Sequence, residues 1–260
     1  MRLKGKVILI TGAYTGIGNA IARSCVAEGA KVVVNGMQED LGPKVAASLG
    51  QENAVYFTAD ITGSEVPAAL VAKAIKSFGR LDAVVNNAAI IESSNITTTT
   101  MDFFRRMLAV NTLAPFAIIQ AALPELAKTK GCVLNIGSIN AWSGEPDLLP
   151  YSISKGALMT MSRNLGDSLF RDHGVRVNQI NPGWVLTENE KVKQRQQGMD
   201  DEWYKKLPKV FAPAQRIFEP KEIAAGAIYL LSDACGPVSG QVLELEQFPM
   251  IGRNPPKSAQ

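Results

Sequence analysis

Seven short runs of apolar, mostly β-branched residues recur along the chain, separated by longer segments of helical period. The runs are Lys6–Ile10, Lys31–Asn35, Ala54–Thr58, Ala83–Asn86, Cys132–Ile136, Val175–Ile180 and Val242–Leu245. Within the first two, Val7-Ile-Leu-Ile10 and Val32-Val-Val34 are apolar at consecutive positions rather than at every second one. That continuity suits a strand covered by helices on both faces, since neither face meets water. The intervening segments, near 17–28, 39–49, 64–78, 100–127, 151–171 and 220–232, predict helices. Strict alternation of the two implies an α/β fold, a doubly wound parallel sheet with right-handed crossovers. No linker, repeat or low-complexity stretch interrupts it, so residues 1–260 read as one domain.

One segment breaks the rhythm. From Pro182 to about Phe218 the chain turns polar and aromatic, with Trp184, Trp203, Tyr204 and Phe211. Long excursions beside a regular sheet are commonly functional, and these aromatics predict a substrate lid over about 184–218. A net charge of +3 is too small to call for nucleic acid or an anionic membrane. Lys191, Lys193 and Arg195 read as a solvated helix face, and Val7–Ile10 is too short to span a bilayer. Cys25, Cys132 and Cys235 show neither disulfide nor zinc spacing, which suits a reducing cytoplasm. The one histidine, His173, precedes Gly174 at an expected helix end, so no metal site is expected from it.

Thr11-Gly-Ala-Tyr-Thr-Gly-Ile-Gly18 follows the first strand and opens the first helix. Glycines there let the backbone approach a pyrophosphate, and the helix N-terminus offers free N–H groups to it. Asp60, after the third strand, is the kind of acceptor that takes an adenine amino group. Asn86-Asn-Ala-Ala89 ends the fourth strand at the carboxyl edge, where open α/β sheets bind ligands.

Tyr151-Ser-Ile-Ser-Lys155 sets a phenol and an ammonium four residues apart, on one helix face. A free phenol titrates near 10, too high for efficient proton transfer at neutral pH, and a nearby cation lowers it. Lys155 is expected to supply that effect. Ser138, after the fifth strand, is placed to hydrogen-bond a substrate oxygen, and Asn111 marks a break in the long fourth helix with a water relay.

Taken in order, Thr-Gly-x-x-x-Gly-Ile-Gly, Asp60, Asn-Asn-Ala-Ala, Asn111, Ser138, Tyr-x-x-x-Lys and Asn181-Pro-Gly183 resemble the short-chain dehydrogenase/reductase family over nearly the whole chain. The resemblance implies a single Rossmann-like domain with a catalytic tetrad of Asn111, Ser138, Tyr151 and Lys155. It implies that Tyr151 moves the proton while hydride passes to or from nicotinamide, with Lys155 also holding the nicotinamide ribose. The implied cofactor surface comprises Gly12, Tyr14, Thr15, Gly16, Ile17, Gly18, Gly36, Met37, Asp60, Ile61, Asn87, Ala88, Ala89, Tyr151, Lys155, Pro182, Gly183, Val185 and Thr187, with Thr187 on the carboxamide. A homotetramer built on the helices at 100–127 and 151–171 is implied as well.

Three departures stand out. Ala89 replaces a more frequent glycine. The second strand ends Val34-Asn-Gly-Met37, without the aspartate NAD users of the family carry at position 36. It also lacks the basic residue NADP users carry at 37 or 15, and with no cation for a 2′-phosphate, NAD is favoured over NADP. The tail replaces an Asp-Gly-Gly ending by Glu246-Gln-Phe and continues through Ile251-Gly-Arg-Asn-Pro-Pro256, where a reach into a neighbouring subunit is one reading.

Substrate-facing candidates are Ser138, Asn140, Trp142, Tyr151 and Trp184, with Glu145, Asp147, Leu149, Glu188, Asn189 and Trp203 around them. Amides and carboxylates beside aromatic faces favour a small polyhydroxylated substrate, a sugar or polyol. The alternative is a 3-oxoacyl thioester. From another class, the scaffold serves as a non-catalytic dinucleotide sensor, which has no need to keep the tetrad. An epimerase would bring a longer chain and a Gly-x-x-Gly-x-x-Gly turn, and neither is found.

Overall fold

The computed structural model describes residues 1–250. Strands β1 (Val7–Ile10), β2 (Lys31–Gly36), β3 (Ala54–Thr58), β4 (Ala83–Asn86), β5 (Cys132–Ile136), β6 (Arg176–Pro182) and β7 (Val242–Leu245) form one sheet. Its order is β3-β2-β1-β4-β5-β6-β7, and every pairing is parallel. The order reverses between β1 and β4, so the loops leaving these neighbours part and open a crevice at the carboxyl edge.

Successive side chains of each strand enter opposite cores. Ile8, Ile10, Val32, Val34 and Leu134 pack with Ile21, Ala22 and Cys25 of α1 (Gly16–Ala27), with α2 (Leu41–Leu49), and with Ile223, Ala227 and Ile228 of α9 (Pro220–Leu231). Val7, Leu9, Val33, Val84 and Val133 face the other way. They meet Leu70 and Ala74 of α3 (Val66–Phe78) and Ile118, Ala122 and Leu126 of α5 (Ala114–Thr129). Each fully buried Leu or Ile contributes about 1.5–3 kcal/mol, so two-faced coverage of the sheet supplies most of the cohesion.

The helix expected over 100–127 is interrupted where Asn111 sits. α4 (Met101–Leu108), begun by Thr100 whose hydroxyl accepts from Phe103 N at 3.2 Å, runs into a π-helical turn over Ala109–Leu113 before α5. Met101–Thr129 is long and apolar enough to cross a bilayer by length and composition. Ile118, Ile119, Ala122 and Leu126 are nonetheless buried against the sheet, as in a core helix. The longest helix, α7 (Leu149–His173), ends as expected on Gly174 at φ 70°.

Two helices lie outside the six predicted spans, the second of them where Lys191, Lys193 and Arg195 read as a solvated helix face. α6 (Asn140–Ser143) is a single turn, too short for a periodic signal. α8 (Glu188–Gln196) buries none of its residues and forms on its cap, with Thr187 Oγ1 accepting from Glu190 N at 3.1 Å. Together with the 3₁₀ turn at Trp203–Lys205, α8 lies within the polar excursion after β6, whose two ends meet in a bridge between Val185 and Phe218. Lys191 and Arg195 pair there with Glu188 and Asp201. The stretch Ile251–Pro256 lies outside the described residues.

Candidate active site

The crevice begins at the turn after β1. Gly12 and Gly16 have φ of 60° and 56°, a left-handed backbone that glycine adopts at least cost. A Cβ on Gly12 would lie 2.8 Å from Ala88 Cα, and one on Gly18 would lie 2.5 Å from Asn87 Nδ2. The two loops therefore close on each other with no room for side chains. Their clamp is polar: Asn87 Nδ2 donates to Thr11 O and Gly12 O at 3.0 and 2.9 Å, and Thr11 Oγ1 accepts from Asn87 N and Ala88 N. Thr15 caps α1 without any side-chain hydrogen bond, and the first turn holds no acid, so the amides around Gly16 and Ile17 remain available to an anion. This cradle fits a pyrophosphate.

Other expected cofactor residues ring it. Thr187 at the start of α8 overhangs the turn, its Cγ2 standing 3.4 Å from where a Gly16 Cβ would be. Gly36 ends β2 beneath the Tyr14 ring, whose hydroxyl is 2.9 Å from Thr58 Oγ1, while Met37 is exposed. Asp60 Oδ1 accepts from Thr62 N and Oγ1 at 2.9 and 2.8 Å, a local turn, and Ile61 behind it is buried. Ala89 follows the Asn87–Ala88 clamp and is exposed. Pro182 O accepts from Ile139 N, Gly183 N donates to Leu245 O, and Val185 is buried at the base of the excursion.

Ser138, Tyr151 and Lys155 converge beside the crevice and are all buried. The Tyr151 hydroxyl hydrogen-bonds the Ser138 hydroxyl, which also accepts from Asn140 N at 3.2 Å. Lys155 Nζ donates to Ile136 O at 2.8 Å and stands 5.8 Å from the Tyr151 ring centroid. Burial pushes the Tyr151 phenol up to about 12 against the opposing Ser138 hydrogen bond. Burial also brings the Lys155 ammonium down to about 7. Desolvation is the larger effect on the phenol, and the Lys155 amine is tied to β5 rather than to the phenol oxygen.

Asn111 approaches from the π turn. Its Oδ1 accepts from Ile90 N at 2.9 Å, and its Nδ2 donates to Ile90 O and Ser154 Oγ, both at 3.0 Å. It therefore ties the loop after β4 to the helix that carries Tyr151 and Lys155.

Behind Ser138 lies a buried polar ladder that sequence reasoning left out. Asn181 Oδ1 accepts from Ser138 N at 3.1 Å and from Gln179 Nε2 at 2.7 Å. Gln179 Oε1 accepts from Ser162 Oγ, whose oxygen takes Asn135 Nδ2, and Asn135 Oδ1 takes Asn86 Nδ2. The signal was present as amides inside strands that are otherwise apolar.

Of the substrate candidates, Asn140 adjoins Ser138, while Trp142 stacks on Arg163, 4.7 Å from its guanidinium, along the α6–α7 groove. Trp184 contacts the buried Trp203 with ring centroids 4.7 Å apart, and its Nε1 donates to Glu190 at 2.9 Å. Asp147 is engaged by Asn95 Nδ2 at 3.1 Å. Among the described residues, no group of three or more His, Cys, Asp or Glu is placed to hold a metal ion.

A family model described as enoyl-(acyl carrier protein) reductase matches residues 12–246. An NADP-dependent (R)-specific alcohol dehydrogenase of Lentilactobacillus kefiri is 35% identical over 237 residues, 89% of this chain and 91% of that one. Among solved structures, L-sorbose reductase of Gluconobacter frateurii, complexed with NADPH and L-sorbose, superposes with a TM-score of 0.90 at 26% identity, covering 97% of this chain and all of that one. The 3-ketoacyl-(acyl-carrier-protein) reductase of Brucella melitensis, complexed with NADH, gives 0.84 at 27% identity, covering 94% of this chain and 98% of that one. With the motifs gathered in one crevice and a match over most of its length, the chain belongs to the short-chain dehydrogenase/reductase family of oxidoreductases.

Proposed function

We propose that this oxidoreductase transfers a hydride between a nicotinamide dinucleotide, NAD in preference to NADP, and a secondary alcohol or ketone of a sugar or polyol. The observation that carries the reading is the buried Tyr151–Ser138 hydroxyl pair, with Lys155 on the same helix and the uncapped start of α1 close by. The neighbours' cofactors, NADPH and NADH in the two structures, support the dinucleotide class.

When bound, the dinucleotide would supply the hydride-transfer chemistry of its nicotinamide ring. The residues of the chain do the rest. The Gly12–Gly18 turn and the α1 amides would hold the pyrophosphate, and Thr187, beside Gly16, would take the carboxamide. Ser138 fixes the substrate oxygen through its hydroxyl, and Tyr151 gives or takes the proton on that oxygen. A phenol held near 12 is neutral and suited to donate in the reducing direction. In the oxidising direction it must lose its proton, which a cation nearby favours. Lys155 supplies that charge when protonated, and it holds the nicotinamide ribose hydroxyls.

Asn140, whose N–H donates to the Ser138 hydroxyl, together with the candidates Glu145, Trp184 and Glu188, suits hydroxyls that each need a partner once buried. The excursion over 184–218 acts as the lid of a single-domain enzyme. Leu113 and Phe116 near the start of α5 and Ile153 on α7 are exposed apolar residues. They suit pairing of these helices between subunits in a cytoplasmic homotetramer.

A 3-oxoacyl thioester is the second reading, favoured by the Brucella neighbour. A panel of aldoses, polyols and a 3-oxoacyl thioester, each paired with both nicotinamide dinucleotides and followed by absorbance, separates them. NAD-linked oxidation of a sugar or polyol supports the proposal; NADPH-linked reduction of the thioester alone overturns it.

A further inference from the structure

Tyr14 occupies a slot built by two glycines from other elements. A Cβ on Gly36, at the end of β2, would lie 2.5 Å from Tyr14 Cγ and 2.7 Å from Cε2. A Cβ on Gly42, in the first turn of α2, would lie 2.6 Å from Tyr14 Oη and 2.9 Å from Cζ. Real side chains do not tolerate such distances. The ring itself is 5% exposed, and its hydroxyl is held 2.9 Å from Thr58 Oγ1 on β3. Three elements therefore fix the ring over the end of β2, and it has no open side into which to swing.

That position matters chemically. In dinucleotide-binding α/β folds, an acid roughly 20 residues past the glycine turn takes the adenosine ribose diol, and a nearby arginine takes a 2′-phosphate. Here the ring fills the volume such an acid would need, and no arginine stands in its place. The segment that follows, Met37-Gln-Glu-Asp40, contributes Glu39 and Asp40, the latter paired with Lys44 at 3.1 Å. These acids disfavour a phosphate without offering a fixed carboxylate at the end of β2.

We propose that Tyr14 is a positioning residue that controls the cofactor-specificity position 36: its ring is a wedge that bars an acidic side chain there and leaves the ribose pocket uncharged. The proposal rests on the dinucleotide reading of the preceding subsection. Its consequence is that position 36 is subordinate to position 14. Discrimination against the 2′-phosphate comes from lacking a cation, not from a carboxylate on the diol, and it is modest.

A double-mutant cycle on the full-length protein tests this, with NADH and NADPH affinities from fluorescence titration and Tm measured for each variant. Gly36→Asp alone is expected to lower Tm and weaken both dinucleotides at least tenfold, since the new side chain meets a pinned ring. Tyr14→Ala/Gly36→Asp is expected to recover Tm relative to Gly36→Asp. It should also raise the NADH-over-NADPH affinity ratio at least tenfold above wild type. Tyr14→Ala alone should leave that ratio within about threefold. Should Gly36→Asp prove too unstable to titrate, the cycle is still read from the Tm recovery and the ratio in the double variant. If wild type binds both dinucleotides but Gly36→Asp alone shifts the ratio as far as the double variant does, the wedge is overturned while the dinucleotide reading stands. If wild type binds neither dinucleotide, the parent reading falls and takes the wedge with it.

Discussion

Asn181 Oδ1 accepts the backbone N–H of Ser138 at 3.1 Å, and it does so from the adjoining strand with no exposure to solvent. The same oxygen takes Gln179 Nε2, so the loop carrying Ser138 rests on a strut of two amides. Gly137 is small for this reason: a Cβ there would lie 2.8 Å from Gln179 Cδ. Removing the strut leaves a buried N–H without a partner, which costs about 1–3 kcal/mol. Asn181→Ala should therefore lower stability by about that amount. Its kcat should fall about tenfold with cofactor affinity unchanged, because the Ser138 hydroxyl drifts from Tyr151 while the pyrophosphate cradle is untouched. Denaturant unfolding together with steady-state kinetics at varied cofactor checks both halves.

Lys155 gives a pH signature. Its folded pKa, about 7, is depressed from 10.5 by burial. Between those values the unfolded chain binds a proton that the folded protein does not, so stability rises with pH across the window and levels off above it. Lys155→Met should flatten the rise in Tm between pH 7 and 10 and be the more stable protein near pH 7. It should also lose both turnover and cofactor affinity. A Tm series at constant ionic strength tests the first point, and fluorescence titration of NADH tests the second.

The cradle makes a steric prediction. Gly18→Ala puts a methyl group 2.5 Å from Asn87 Nδ2 and 2.9 Å from the Gly12 carbonyl carbon. The turn must then open, and the anion-binding amides move with it. Dinucleotide affinity should fall at least a hundredfold, measured by calorimetry.

Gln247 replaces a glycine common in similar proteins, and its side chain is engaged. Its Oε1 accepts from Ala214 N at 2.9 Å, and its Nε2 donates to Arg216 O at 2.7 Å, pinning the returning end of the excursion. If the excursion is the proposed lid, Gln247→Gly should raise the substrate KM several-fold with little change in cofactor affinity, because the lid would close less often. Initial-rate kinetics with both ligands varied distinguishes the two.

The architecture was legible because two-faced strands such as β1 and β2 announce themselves as continuous apolar runs, and the glycine turn fixes where they feed a helix. Legibility failed where tertiary contacts decide. α8 has no apolar face; its basic residues read as a solvated helix face, but its extent rests on the Thr187 cap and ion pairs, which no period reveals. Asn111 was readable as a helix break, but its bonds to Ile90 and Ser154 span parts of the chain distant in sequence. The order of Ser138, Tyr151 and Lys155 pointed to side chains that the fold buries together beside the crevice. The effect of burial on Tyr151 and Lys155 was invisible, since desolvation depends on what packs around a group rather than on its neighbours in sequence. Tyr14 belongs to the same class: its partners Gly36, Gly42 and Thr58 come from three other elements.

The most direct test of the central claim is turnover by Tyr151→Phe, measured beside NADH binding on the same preparation. The variant keeps the ring that Lys155 and the helix pack against and removes only the hydroxyl that Ser138 contacts. General acid–base assistance contributes about a hundredfold to ten-thousandfold, so kcat should fall by at least two orders of magnitude while NADH binds as in wild type. Turnover within a few-fold of wild type, with binding intact, would contradict the account and assign the proton to another group.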